Sequence, residues 1–128
     1  MAVRTSLFQQ LGGFDGVFDP VGPEDLDFSL RLQATGHGAL YVPDALAYHA
    51  VSHSFGGGSY TEDYAQHKAR NWLVFLSRHA RWYQKAAFFA VGAPWLALSA
   101  IVRELRRGNP GALRGWLRGL LDLLRGGR

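Results

Sequence analysis

Between Lys85 and Arg103 the chain runs for 17 residues, Ala86 to Val102, without a charged side chain. No other feature restricts the fold as tightly. A membrane-spanning helix needs about 17–25 apolar residues, so this run sits at the lower bound of a span. Pro94 lies near its middle. Arg78, Arg81 and Lys85 precede the run, and Arg103, Arg106 and Arg107 follow it. With positive charge on both sides, the positive-inside rule assigns no orientation. The short length and Pro94 predict a re-entrant or interfacial helix pair rather than a full span.

The segment that follows, ALRGWLRGLLDLLRGGR, points the same way. At helical spacing Leu113, Trp116, Leu117, Leu120, Leu121 and Leu124 share one face, and Arg114, Arg118, Asp122 and Arg125 share the other. That pattern predicts an amphipathic helix from about 112 to 125 lying at an anionic membrane surface. The charge is divided accordingly. Residues 1–70 carry 4 Lys and Arg against 8 Asp and Glu, whereas residues 71–128 carry 10 against 2. Arginines alternating with leucines favour a lipid interface over a phosphate groove, and there is no recognisable nucleic-acid motif, so nucleic acid is not expected as a partner.

The front of the chain reads as a small folded unit. With 128 residues there is material for one small domain and a single core. Without cysteine, neither disulfides nor thiolate metal sites can form, which leaves five histidines as potential ligands. The N-terminus lacks the apolar run of a secretory signal. Ser6 to Leu11 predicts a short helix capped by Thr5 or Ser6 and ended by Gly12-Gly13, and Phe14 to Val21 a loop. A second helix opens at GPEDLDFSLRL, residues 22–32, with Pro23 at its first position and Gly36 as its stop. Leu40 to Val42 and Ala45 to His49 predict strands about a Pro43-Asp44 turn, SFGGGS at 54–59 a flexible loop, and Tyr60 to His79 a long helix.

The start of the second helix holds three carboxylates, Glu24, Asp25 and Asp27, within four positions. Acidic residues belong in a first turn, where they meet the positive end of the helix dipole. That accounts easily for one or two of them. A third is harder, because like charges this close disfavour one another. A carboxylate held in that state suits a general base. Asp27 and Arg31, four residues apart, can pair.

GGFD at 12–15, EDLDFSLRL at 24–32, and YVPDA at 41–45 followed by His49 form an ordered set. It resembles the C-terminal half of glycosyltransferase family 2, over roughly residues 2 to 80. Those are inverting, nucleotide-sugar-dependent enzymes of the GT-A fold. HSFGGGS at 53–59 and Arg70-Asn71 resemble the bacterial branch that builds cell-wall and surface polysaccharide, including rhamnosyltransferase-like members.

The resemblance implies an α/β fragment, the acceptor-side part of a GT-A domain over 1–80, followed by a membrane-associated helical tail over 81–128. It implies Asp25 as catalytic base and Glu24 as its neighbour that binds the acceptor or positions the base. Asp27 is read as structural, through Arg31 and the helix start. It implies His49 as a ligand of a divalent cation, Mn²⁺ or Mg²⁺, with His53 a weaker candidate and most other ligands in a missing N-terminal half. Gly56, Gly57 and Gly58 would permit a lid over the diphosphate, or form a plain linker. Arg70 would meet the leaving diphosphate, or simply pair with Glu62 or Asp63. Asp25-Leu-Asp27 is not read as the family's metal-binding D-x-D, which lies upstream. The expected partners are a nucleotide-diphosphate sugar, a glycan or polyprenyl-linked acceptor, and the cytoplasmic face of the cell membrane, peripheral or re-entrant. No nucleotide-binding half precedes residue 12, so the chain reads as a piece of such an enzyme, inactive alone. A non-catalytic membrane or interaction module is the alternative.

Overall fold

The computed structural model describes residues 2–46, 48 and 61–125. Among these residues six α-helices follow in order: α1 Thr5–Gln10, α2 Glu24–Ala34, α3 Glu62–His79, α4 Trp82–Ala87, α5 Ala93–Arg106 and α6 Pro110–Leu124. A 3₁₀ turn, Gly16–Phe18, lies between α1 and α2.

Among the described residues there is no strand. This overturns the expected α/β fragment. Residues 40–42 were predicted as a strand, yet Leu40 and Tyr41 are almost fully exposed, at 88% and 84%. β-Propensity there expresses itself only against a paired neighbour, and a lone two-strand unit has little stability in water. Ala45 and Leu46 form no strand either, while Ala47 and His49 of the second predicted strand lie outside the described residues.

The front packs around aromatic rings. Phe8, Phe14 and Phe28 meet at centroid distances of 5.2–5.6 Å, and Phe28 is fully buried. Gly13 ends α1 in the left-handed region, its N–H donating to Phe8 O, and a Cβ there would press on the Phe8 ring at 3.0 Å. Arg4, rather than Thr5 or Ser6, occupies the N-cap of α1, with no side-chain bond. Pro23 sits at the N-cap of α2, one position before its predicted place. Helix α3 is capped by Thr61, whose Oγ1 accepts from Tyr64 N. Its acidic first turn and its Arg78-His79 end both suit the helix dipole.

The apolar run is not broken. Trp82–Arg106 is one continuous helix of 25 residues, long and apolar enough to cross a membrane, and none of its most apolar window is buried. A π-helical turn at Phe88–Gly92 precedes Pro94, which falls in the first turn of α5. Within a continuous helix its missing N–H removes one donor from the ladder, and the π-helical turn just before it is where the hydrogen-bond register shifts. At 1.5 Å per residue the helix is about 37 Å long, more than a bilayer's hydrocarbon core.

Gly108 makes the turn into α6, and α6 folds back along α3. The contact runs through small residues. Ala112, Gly115 and Gly119 of α6 face Ala65 and Ala69 of α3. A Cβ on Gly115 or Gly119 would overlap the carbonyl oxygens of Glu62 or Gln66. Two helices thus meet backbone to backbone, as small residues four apart permit. Arg118 pairs with Glu62, and Gln66 Nε2 donates to Asp122 Oδ2 at 2.6 Å. The leucine face of α6 points away from α3: Leu117, Leu120 and Leu121 stay exposed.

Candidate functional site

The three carboxylates of α2 point in three directions. Asp27 is 1% exposed and turned into the protein. Its Oδ2 accepts from Arg31 Nε at 2.8 Å, its Oδ1 lies 2.7 Å from His79 Nε2, and Arg78 Nη1 stands 3.9 Å away. Arg31 also donates to Leu11 O and Gly13 O, tying α2 to the turn after α1. Asp27 is therefore structural, as its spacing from Arg31 predicts.

Asp25 is exposed. Its Oδ1 accepts from Leu26 N at 2.8 Å, and its backbone carbonyl accepts from Ser29 Oγ. Glu24 is half-buried, and its Oε2 is enclosed without a hydrogen-bond partner among the described residues. A buried carboxylate oxygen normally has a donor. The first turn of α2 thus offers one solvent-facing carboxylate beside one with an unused acceptor.

Arg70 does not reach Glu62 or Asp63. Its Nη1 donates to Val17 O at 3.0 Å and to Asn71 Oδ1 at 2.8 Å. It also lines an open polar cleft with Gln66, His67, Asp122 and Arg125. Glu62 pairs instead with Arg118. His49, His53 and Gly56, Gly57 and Gly58 lie outside the described residues. Among the described residues no three His, Asp or Glu side chains converge as a metal centre needs.

Helix α3 contributes more than the sequence announced. Arg78 Nη1 bonds Asp15 Oδ2 at 2.7 Å and its guanidinium lies over the Phe18 ring. Asp15 Oδ1 accepts from Val17 N. That N–H first, and Arg78 second, hold the Asp15 carboxyl below its ordinary value of 3.8. Asn71 reaches Phe18 O and Val21 O. The signal in the sequence was the spacing: 70, 71, 78 and 79 return to one face of α3 every seven to eight residues. Only with the fold does it emerge that this face looks at residues 13–27.

The family model described as "Glycosyl transferase family group 2" matches residues 1–121. Two curated relatives, each named N-acetylglucosaminyl-diphospho-decaprenol L-rhamnosyltransferase, come from Mycobacterium tuberculosis strains CDC 1551 / Oshkosh and ATCC 25618 / H37Rv. Each is 34% identical over 84 residues, covering 66% of this chain and 27% of the relative. The chain therefore spans about a quarter of the length of the curated relatives it matches. No solved structure matches the chain. The family is generally dependent on a divalent cation. With a match over nearly its whole length, the chain belongs to glycosyl transferase family group 2.

Proposed function

We propose that this chain supplies the acceptor side of an inverting glycosyltransferase that builds cell-wall or surface polysaccharide, with donor-binding residues contributed from outside residues 1–128. The observation that carries the reading is the split at the start of α2. Asp27 is consumed by Arg31 and His79, while among the described residues Asp25 meets no cation at the surface and the neighbouring Glu24 Oε2 has no donor. Asp25 takes the proton of the acceptor hydroxyl as that oxygen attacks the anomeric carbon. The nucleoside diphosphate leaves from the opposite face, so the configuration inverts. Glu24 Oε2 accepts from an acceptor hydroxyl and so orients the attacking group. His49 would be one ligand of the divalent cation, which when bound would assist departure of the diphosphate, and Gly56, Gly57 and Gly58 would contribute to binding that diphosphate.

The acceptor, by analogy with the named relatives, is carried on a polyprenyl diphosphate. The exposed helix Trp82–Arg106 and the leucine face of α6 support a reading in which residues 81–128 lie against the cytoplasmic face of the membrane, with Arg103, Arg106 and Arg107 at head-group level. The test of the reading is turnover of an Asp25→Asn variant against Glu24→Gln.

A further inference from the structure

Two adjacent residues of α3 grip the segment that feeds α2. Asn71 is fully buried, at 0% exposure. A primary amide has two N–H donors and one oxygen acceptor. Asn71 uses all three. Its Nδ2 donates to Phe18 O and to Val21 O, both at 2.7 Å, and its Oδ1 accepts from Arg70 Nη1 at 2.8 Å. The Arg70 contact fixes which end of the amide is oxygen. Arg70 Nη1 also holds Val17 O. Three carbonyls of the loop, at 17, 18 and 21, are thus secured by neighbours some 50 residues away in the chain.

We propose that Asn71 is a positioning residue for the acidic start of α2, holding Asp25 and Glu24 in register for acceptor deprotonation. The inference rests on the reading of Asp25 as base. The route from clamp to base is short: Val21, Gly22, Pro23, Glu24, Asp25. Little slack exists along it. Gly22 passes so close over α3 that a Cβ would approach Asn71 Cβ at 3.2 Å and Phe18 O at 3.0 Å. Pro23 is buried and has a restricted φ. Phe18, 1% exposed, anchors the other end of the turn. A base must be held within a fraction of an ångström of its productive position, and a 1 Å displacement can cost about 10²-fold in rate. Without the Asn71 amide, the carbonyls of Phe18 and Val21 lose their fixed donors and the turn its register.

The test has two arms. In a chimera where this chain replaces the matching segment of the mycobacterial relative, Asn71→Leu should lower kcat about 10-fold or more. The donor KM should stay within about 2-fold, and the shape of the pH profile should not change, since the base remains present. Asn71→Ser, which keeps one hydroxyl donor, should fall between wild type and Asn71→Leu, and carries the test if the leucine variant fails to fold. In the 128-residue chain itself, amide exchange over residues 18–26 should quicken about 10-fold or more in the variants while residues 72–78 keep their protection. Unchanged exchange at 18–26 overturns the clamp. Quickened exchange with kcat per folded molecule at the wild-type level overturns the positioning role. If Asp25→Asn in the same chimera keeps its turnover, the base assignment is what fails, and the exchange arm still decides the clamp.

Discussion

His79 Nε2 lies 2.7 Å from Asp27 Oδ1, joining the last turn of α3 to the first turn of α2. The same carboxylate takes Arg31 on its other oxygen. One buried carboxylate therefore locks the acidic helix start against the helix that backs it. Removing one member of a buried charged pair leaves the others uncompensated, at about 3–5 kcal/mol. Arg31 and His79 retain some solvent contact, so Asp27→Ala should cost about 3 kcal/mol, read as a lower denaturation midpoint with unchanged slope. His79→Ala should cost less, because Arg31 remains.

The packing of α6 on α3 predicts a steep response to one methyl group. Gly119→Ala would drive its Cβ into Gln66 O, and neither backbone can yield without parting the helices. The expected loss is about 1–3 kcal/mol, the scale of overpacking. Gly111→Ala, where the new Cβ meets only Asn109 Oδ1 at 3.5 Å, should leave stability within about 0.5 kcal/mol. Thermal melts of the two variants make the comparison; equal melting temperatures would contradict the contact.

These two cases show what the sequence disclosed and what it withheld. The helices at 24–34 and 62–79, the Asp27–Arg31 pair and the final amphipathic helix were legible, because apolar spacing, an acidic first turn and glycine stops all act locally. The side of α6 that packs was not legible. Its leucines read as a membrane-facing stripe and do stay outward, but no local pattern announced the backbone approach at Gly115 and Gly119 that seats the opposite side on α3. The strand at 40–42 was misread because strand chemistry alone does not make a strand. Leu40 to Val42 have strand chemistry, but a strand exists only through a partner. Of the candidate site, the acidic pair was visible, whereas the Asn71 clamp depends on contacts across some 50 residues and leaves no local pattern.

Acid should act through Asp15. Its folded-state value is depressed, so its stabilising contribution is present in full above the ordinary value of 3.8 and is lost as pH falls from there through the folded value. Asp15→Asn should therefore melt below wild type at neutral pH, and the gap between the two curves should close as pH falls below 3.8. Melting temperatures measured from pH 2 to pH 7 check this; a constant gap down to pH 2 would contradict it.

The outward leucines of α6 predict a membrane partner. The chain should sediment with vesicles containing phosphatidylglycerol at low salt. Burial of a leucine is worth about 1.5–3 kcal/mol, so Leu117→Ser with Leu121→Ser should weaken partitioning by about 10-fold or more without loosening α6 from α3. A wild-type chain that stays in the supernatant would contradict the membrane reading.

The central claim is that Asp25 is the base, and turnover measures it most directly. In the chimeric transferase carrying this chain, Asp25→Asn should lower kcat by about 10²-fold or more, the scale of lost general-base catalysis, while donor KM changes little. Glu24→Gln, which keeps an oxygen acceptor in place, should fall by a smaller factor. Near-normal turnover in Asp25→Asn, with Glu24→Gln inactive, would contradict the account and move the base to Glu24.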